Sequence, residues 1–304
     1  MTSPSDGGGW AAVVVNYNAG PALLSCVASV LGQDPLPELV VVDNASTDDS
    51  LTRLREAQPS VRIVRSGDNL GYARAANLGI AATGAPVVAV LNPDTVLAPG
   101  VGKAVMARFD TEPGLGAVGP QLQNPDGSVY PSARRVPSLA DAVGHGLLFF
   151  VWRDNPFTRR YRETGADPSR PRDVDWVSGA AVWLRRAALD AIGGWDERYF
   201  MYVEDVDLCW RLRQAGWRVA YEPAGTVEHL LGVSTATRPY RMIAEHHRSL
   251  LRFAKVRFTG PRRALLPPAA AFLTARGVLA MAHHRLARQG AIRSRWRSGP
   301  DGGG

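Results

Sequence analysis

Length and composition restrict what this chain can be. Its 304 residues are 45% hydrophobic and 21% charged, which excludes wholesale disorder and allows one large domain or two modest ones. Its two cysteines are too few for a disulfide scaffold or a four-thiolate zinc site. Residues 1–9 are polar and glycine-rich and lack the pattern of a secretory signal, so we expect a disordered N-terminus on a cytoplasmic protein.

The net charge of +7 is distributed unevenly along the chain. Residues 235–304 contain 14 Arg and Lys and two acidic residues, a net charge of +12, which leaves −5 for residues 1–234. An acidic main body argues against nucleic-acid binding. Any polyanionic partner is therefore expected at the C-terminal segment.

The first hundred residues alternate between apolar runs and helical periodicity. Helical spacing predicts helices between the runs, one beginning near Asp49 and capped by Ser46 or Thr47, and another over about 72–82. Parallel strands joined by helices predict an α/β fold with a doubly wound, mostly parallel sheet. The apolar runs predict buried strands at residues 11–15, 39–42, 61–64 and 87–91.

The alternation fades after residue 102. Residues 121–176 are rich in Pro, Arg, Asp and Gly, and we predict long loops there. Strands are predicted again at 176–184 and 217–221, with an amphipathic helix at 204–215 between them. One α/β domain is therefore expected over residues 10–234.

The C-terminal segment differs from this domain in charge and pattern. We predict a helical, basic extension over residues 235–290 and a disordered tail over 291–304. Its apolar stretch, residues 264–282, is interrupted by Pro267-Pro268 and Arg276, which favours interfacial helices on an anionic membrane surface over a spanning helix. A solvated basic tail with one helix packed on the main domain is the alternative.

Three predicted strands end in polar residues, at 16–18, 43–44 and 92–94. Ligands bind at the carboxyl ends of parallel strands, although Asn and Asp are also ordinary turn residues. The chain has neither GxGxxG after the first strand nor GxxxxGK[ST], which argues against a Rossmann dehydrogenase and a P-loop NTPase. A bound nucleotide would then need a carboxylate-held cation, Mg²⁺ or Mn²⁺, for its phosphates, and Asp94 is placed to hold it.

The densest chemical signal is the acidic helix start after Tyr199. Glu204, Asp205 and Asp207 fall within four residues and follow an aromatic approach. Negative charge at a helix N-terminus is ordinary, but a carboxylate against an apolar wall can have its pKa raised and act as a general base. His229 follows a short strand, and a single histidine is more often structural.

These blocks together resemble family 2 glycosyltransferases of the GT-A fold. The resemblance spans roughly residues 10–232. Many members of that family carry two aspartates where this chain has Asn92-Pro93-Asp94. The sequence blocks that carry the resemblance are Val13–Asn18, Val41–Asp48, Asn69–Asn77, Leu91–Asp94, Gly193–Glu197 and Phe200–Arg211.

The resemblance implies an inverting transfer from a nucleotide-sugar donor. It implies that Asp205 is the general base, that Asp94 and His229 hold a divalent cation on the diphosphate, and that Asp43 binds the nucleobase. The nucleotide-sugar site implied by the resemblance comprises Asn16, Asp43, Asn44, Arg74, Asn92 and Asp94. The acceptor side comprises Trp195, Asp196, Glu204 and Asp207.

Within the family, the sequences of these blocks are most similar to those of bacterial rhamnosyltransferases. That similarity implies dTDP-L-rhamnose as donor and a polyprenyl-diphosphate-linked N-acetylglucosamine as acceptor, with the enzyme at the inner face of the plasma membrane. Other donors, UDP-galactofuranose or a UDP-hexose, stay open because sugar choice depends on pocket shape. A sugar-1-phosphate nucleotidyltransferase, which should carry a Gly-rich basic loop after the first strand, and a non-catalytic glycan-binding module are the remaining alternatives.

Overall fold

The computed structural model describes residues 9–148, 151–152, 154–163, 165–230 and 239–297. It divides the chain into two units, with the boundary between Ala236 and Thr237. Residues 1–8 and 298–304, most of the two predicted disordered ends, lie outside the described residues.

The first unit alternates strands and helices. Its strands are β1 (Trp10–Asn16), β2 (Glu38–Asp43), β3 (Arg62–Arg65), β4 (Val87–Leu91), β5 (Thr95–Leu97), β6 (Leu115–Gln123), β7 (Val129–Tyr130), β8 (Ala133–Arg134), β9 (Arg172–Asp173), β10 (Trp176–Val177), β11 (Ala181–Arg185) and β12 (Arg218–His229). Its helices are α1 (Ala22–Leu31), α2 (Ser50–Ala57), α3 (Tyr72–Ala81), α4 (Val101–Thr111), α5 (Leu139–Leu148), α6 (Pro156–Arg162), α7 (Arg186–Ile192) and α8 (Glu204–Gln214).

The main sheet has the strand order β3-β2-β1-β4-β11-β6-β12-β5. The strands from β3 to β4 are mutually parallel, and β12 is parallel to β6. Strand β11 runs antiparallel to both of its neighbours, β4 and β6, and β5 is antiparallel to β12. The predicted α/β fold with a mostly parallel sheet is confirmed. Strands β8 and β10 form a separate two-stranded sheet.

Both faces of the sheet are buried because successive side chains of a strand point to opposite sides. In β1, Ala12 and Val14 belong to the core that also contains the apolar side of α1, whereas Val13 and Val15 belong to the core on the side of α3. Helix α3 lies so close to the sheet that a Cβ on Gly79 would collide with Cγ1 of Val13. The strand ends are thereby held in one rigid layer.

Several predicted elements differ from the structure. The predicted loops at 121–176 contain α5 and α6, and the predicted strand at 176–184 is two strands, β10 and β11, separated at residues 178–180. The predicted cap of α2 is wrong. Asp49 occupies the cap position without a side-chain bond, and Asp48 Oδ1 accepts from the amide of Ser50 at 3.2 Å. Ser46 Oγ instead accepts from the amide of Asn18 at 3.1 Å.

The second unit is helical, with α9 (Pro239–Arg257), a 3₁₀ turn (Gly260–Leu265) and α10 (Leu266–Arg297). Helix α10 includes residues 291–297, for which the sequence predicted disorder. Both prolines of the predicted interruption lie in the first turn of α10, where no intrahelical N–H is lost, so the helix begins there and continues past Arg276. By length and composition, residues Gly260–Leu286 could cross a membrane.

Candidate active site

The ends of β1 and β2 form one polar corner. Asn16 and Asp43 are neighbours in the parallel ladder. Nδ2 of Asn16 lies 3.5 Å from Oδ1 of Asp43 and donates to the hydroxyls of Ser46 and Ser50, each at 3.0 Å. Asn16 is completely buried, and its place in the nucleotide-sugar site stays a prediction. It positions Asp43 and the loop that follows.

Asp43 keeps one oxygen available at this corner. Its Oδ1 accepts from the amide of Ser46 at 3.2 Å, and Oδ2 has no hydrogen-bond partner in the described part of the chain. Both polar atoms of Asn44 bond the loop before α3. Its Oδ1 accepts from the amide of Leu70 at 2.8 Å, and its Nδ2 donates to Oδ1 of Asn69 at 3.1 Å. Of the two neighbours, Asp43 is the one whose polar atoms can reach a ligand.

Arg74 lies in the first turn of α3 and is about half exposed. Its Nε is 3.6 Å from a carboxylate oxygen of Glu197. The guanidinium therefore remains accessible while it links α3 to the segment before α8.

The ends of β4 and β12 bring Asp94 and His229 together across 135 positions of sequence. Nε2 of His229 lies 3.3 Å from Oδ1 of Asp94, and both residues are buried. Asn92 Nδ2 lies 3.4 Å from the same Nε2, and the ladder pairs His229 with Thr95. The backbone amide of Leu230 donates to the carbonyl of Asp94 at 3.0 Å, which fixes the pair.

This pair fits a divalent cation. In the tautomer in which Nε2 of His229 accepts from Asn92, Nε2 and Asp94 Oδ1 present two acceptors to each other across 3.3 Å. Two adjacent ligands of one octahedral cation at about 2.1 Å lie roughly 3 Å apart. No cluster of three or more ligating side chains occurs among the described residues. Asp94 and His229 would supply two ligands of such a cation.

The start of α8 is held in a strained backbone. Tyr202 and Val203 have φ values of 67° and 68°, a region that β-branched residues rarely adopt and that commonly marks a functional site. This turn directs Asp205 toward residues 178–180. Its Oδ2 accepts from the amide of Gly179 at 2.9 Å, and its Oδ1 accepts from the amide of Val206 at 2.8 Å.

The neighbouring carboxyls of Glu204 and Asp205 differ in how strongly each holds a proton. Burial and the neighbouring charge of Asp205 raise the pKa of Glu204 to about 8, and Glu204 Oε2 has no partner among the described residues. Burial also raises the pKa of Asp205, but its two backbone N–H donors favour the ionised form. Of the two carboxyls, Glu204 therefore holds its proton more strongly, and Asp205 is the one whose ionised form the backbone stabilises. Asp205 also retains some exposed surface, so it is the one that can accept a proton.

Two residues predicted on the acceptor side have structural roles. Asp207 is completely buried, and Arg211 Nε donates to its Oδ2 at 2.6 Å, so it anchors α8. Trp195 is also buried and packs edge-on against Tyr72, with 5.6 Å between ring centroids. Both side chains are buried in the domain, and their place on the acceptor side stays a prediction. Asp196 forms an ion pair with Arg198 at 2.6 Å.

Sequence reasoning assigned no role to Tyr72 or Gly179. The hydroxyl of Tyr72 donates to the carbonyl of Gly179 at 2.7 Å, while the amide of Gly179 donates to Asp205. A Cβ on Gly179 would lie 3.2 Å from Cβ of Asp205, so the small residue permits the close approach. The Ser-Gly pair inside the apolar run at 176–184 is the signal that could have found it.

Comparison with known proteins identifies the family of this chain. The sequence profile of glycosyl transferase family 2 matches residues 11–193. The chain belongs to glycosyl transferase family 2. It is 40% identical over 297 residues to the N-acetylglucosaminyl-diphospho-decaprenol L-rhamnosyltransferase of Mycobacterium tuberculosis, covering 94% of this chain and 95% of that protein. This family 2 chain is therefore a glycosyltransferase, not a sugar-1-phosphate nucleotidyltransferase or a non-catalytic glycan-binding module.

Solved structures show the same fold at low identity. GalNAc-T7 with UDP, GalNAc and Mn²⁺ matches with a TM-score of 0.62 at 16% identity, over 88% of this chain and 52% of that one. The mannosyltransferase PcManGT of Pyrobaculum calidifontis, in complex with GDP-Man and Mn²⁺, matches with a TM-score of 0.56 at 19% identity, over 93% and 80% of the two chains. The predicted GT-A fold of this family 2 glycosyltransferase is thus confirmed.

Proposed function

We propose that this chain transfers L-rhamnose from dTDP-L-rhamnose to a lipid-linked N-acetylglucosaminyl diphosphate, with inversion at the anomeric carbon. The observation that carries the proposal is the 40% identity over nearly the whole length of an enzyme named for this transfer. The arrangement of Asp43, Asp94 and Asp205 at one end of the fold supports it.

Asp205 would act as the general base. As the acceptor hydroxyl attacks, its oxygen bonds to the anomeric carbon and its proton passes to Asp205, while the bond from that carbon to the diphosphate breaks and the diphosphate leaves with the electron pair. The backbone amides of Gly179 and Val206 favour the ionised form of Asp205, the form that accepts the proton. No covalent enzyme intermediate is required.

Asp94 and His229 would hold a divalent cation, Mg²⁺ or Mn²⁺, whose charge offsets that of the diphosphate. Asp43 would bind the nucleobase, because its Oδ2 lacks a partner in the described residues and a carboxylate can accept from the N3 proton of thymine. Arg74 would flank the nucleotide.

The transfer is tested with purified protein, dTDP-L-rhamnose and a short-chain polyprenyl diphosphate carrying N-acetylglucosamine. We expect release of dTDP only when the acceptor is present, together with a rhamnosylated lipid detected by mass spectrometry. UDP-galactofuranose and UDP-glucose serve as competing donors. Transfer from either of these at a higher kcat/KM would contradict the proposed donor.

We further propose that the second unit attaches the enzyme to the anionic inner face of the plasma membrane. The apolar helix at Gly260–Leu286 and the +12 charge of residues 235–304 support this. A lipid-linked acceptor presents its diphosphate at the headgroup level, where such attachment places the enzyme.

Co-sedimentation with vesicles tests the attachment. Reversing two exposed charges, Arg262→Glu with Arg263→Glu, should weaken binding to anionic vesicles roughly 30-fold or more, since each basic residue near the surface contributes about 1 kcal/mol. Arg170→Glu, at an exposed site in the first unit, is the matched control. Equal binding of the double variant and the control would contradict an electrostatic contribution from this segment.

A further inference from the structure

Arg134 lies beside the base in a small sheet of its own. It occupies β8, where it pairs with Trp176 of β10. The chain then continues through Ser178, whose amide donates to the carbonyl of Ser132 at 2.8 Å, to Gly179, which bonds Asp205. The two-stranded sheet thereby places a guanidinium next to the segment that holds the base.

Aromatic rings enclose this guanidinium. Its central carbon lies 5.6 Å from the ring centroid of Tyr130, 5.5 Å from that of Tyr161 and 5.0 Å from that of Trp176. Nη2 donates to the hydroxyl of Tyr130 at 3.1 Å, and Nη1 donates to that of Tyr161 at 3.4 Å. Such rings orient a cation and remove it from water.

The enclosed charge has no carboxylate within ion-pair distance in the described part of the chain. Nε donates to the carbonyl of Pro131 at 2.6 Å. With one bond from each terminal nitrogen to a tyrosine, Arg134 keeps one further N–H on Nη1 and one on Nη2. The adjacent Arg135 differs, since it is exposed and forms an ion pair with Glu163 at 2.7 Å. A desolvated cation without a counter-ion is costly unless an anion joins it.

The aromatic cage formed by Tyr130, Tyr161 and Trp176 also contacts the pair of Asp94 and His229. The ring of Tyr130 packs edge-on against that of His229, with 6.4 Å between centroids. On the other side, burial raises the pKa of Asp205, and the nearby charge of Arg134 partly offsets that rise. Arg134 therefore lies between the residue that would take the proton and the residues that would hold the diphosphate cation.

We propose that Arg134 binds a substrate diphosphate through the two remaining N–H groups of its terminal nitrogens. Two parallel N–H donors match two phosphate oxygens, which is the reason arginine is favoured at such sites. The inference rests on the proposed function for its two sources of diphosphate, which are the donor nucleotide and the lipid-linked acceptor. The aromatic cage holds these two N–H donors, the guanidinium fork, in place before either substrate binds.

Matched variants at neighbouring arginines test this role. Arg134→Met removes the charge, Arg134→Lys keeps a charge but loses the fork, and Arg135→Met and Arg135→Lys are the controls. Calorimetric titration with dTDP in the presence of Mn²⁺ and steady-state KM values for donor and acceptor are measured for each. We expect Arg134→Met to weaken one of these constants about 10- to 100-fold, Arg134→Lys to weaken it less, and both Arg135 variants to stay within about twofold of the unsubstituted protein.

The two arms distinguish the source of the diphosphate. A weaker dissociation constant for dTDP assigns Arg134 to the donor, whereas unchanged dTDP binding with a raised KM for acceptor assigns it to the lipid-linked diphosphate. The inference is overturned if dTDP binding and both KM values stay within about twofold in the Arg134 variants. If Arg134→Met does not fold, as judged by its melting temperature, Arg134→Lys decides by the same criteria.

The dTDP titration does not depend on turnover. If the unsubstituted protein transfers no rhamnose, the proposed function fails, and binding of dTDP and of the acceptor analogue, both by calorimetry, still reports on Arg134.

Discussion

Replacing Glu204 by Gln should make the protein more stable at neutral and alkaline pH. Glu204 is buried, Oε2 has no partner in the described residues, and the pKa of the carboxyl is raised from 4.5 to about 8 by burial and by the charge of Asp205. When folding raises the pKa of a carboxyl, the protonated carboxyl contributes its full stability at pH values below its pKa in the unfolded chain. That contribution is lost as the pH rises toward the pKa of the carboxyl in the folded protein.

The size of the effect follows from the shift in pKa. Each unit corresponds to 1.36 kcal/mol. Glutamine imitates the protonated carboxyl, so Glu204→Gln and the unsubstituted protein should unfold with equal free energies below about pH 4. The free energy of unfolding of the unsubstituted protein should be lower than that of Glu204→Gln by about 2 kcal/mol at pH 6 and about 3 kcal/mol at pH 7. The difference should level off above about pH 8.

Urea unfolding at intervals from pH 4 to pH 9 measures this difference. Glu56→Gln, at an exposed site on α2, is the control and should show no comparable pH dependence. Glu204→Gln should also keep most of its transferase activity, because Asp205 is the proposed base. A difference that stays flat across this range would refute the assignment of the proton to Glu204, and with it the argument that selects Asp205 as the carboxylate.

Four further changes test the site and the sheet. Asp205→Asn should lower transfer about 10²- to 10⁴-fold while dTDP binding is kept, and near-normal turnover would move the base to Glu204. Chelation should abolish activity and Mn²⁺ or Mg²⁺ should restore it in the unsubstituted protein but not in His229→Ala, whereas full activity in chelator would contradict a cation site. Asp43→Ala should weaken binding of dTDP and UDP alike by calorimetry, and unchanged dTDP affinity would place base recognition elsewhere. Gly79→Ala should destabilise the first unit by about 1–3 kcal/mol in urea unfolding, because its Cβ would collide with the strand beneath; no loss would show that α3 can shift.

Local sequence was sufficient for the parallel part of the sheet and for the polar strand ends. The apolar runs at 11–15, 39–42 and 87–91 correspond to β1, β2 and β4, because a strand buried on both faces is apolar at every position. Asp94 was conspicuous because it directly follows a buried strand, and Glu204, Asp205 and Asp207 because three acids fall within four residues at a helix start. The choice of Asp205 among the three came from the family resemblance.

Only the tertiary structure decided direction, burial and long-range contact. Strand β11 reads like its neighbours but runs antiparallel to them, because strand direction is set by where the preceding segment returns to the sheet. Asn16, Trp195 and Asp207 were predicted to touch substrates and are buried, because residue type does not reveal which way a side chain faces. The contact of His229 with Asp94 was implied only by the family resemblance. The contact of Arg134 with its three rings was not predicted at all. Both contacts include residues that are distant in sequence. Their chemistry depends on distances of a few ångströms, which periodicity along the chain does not encode.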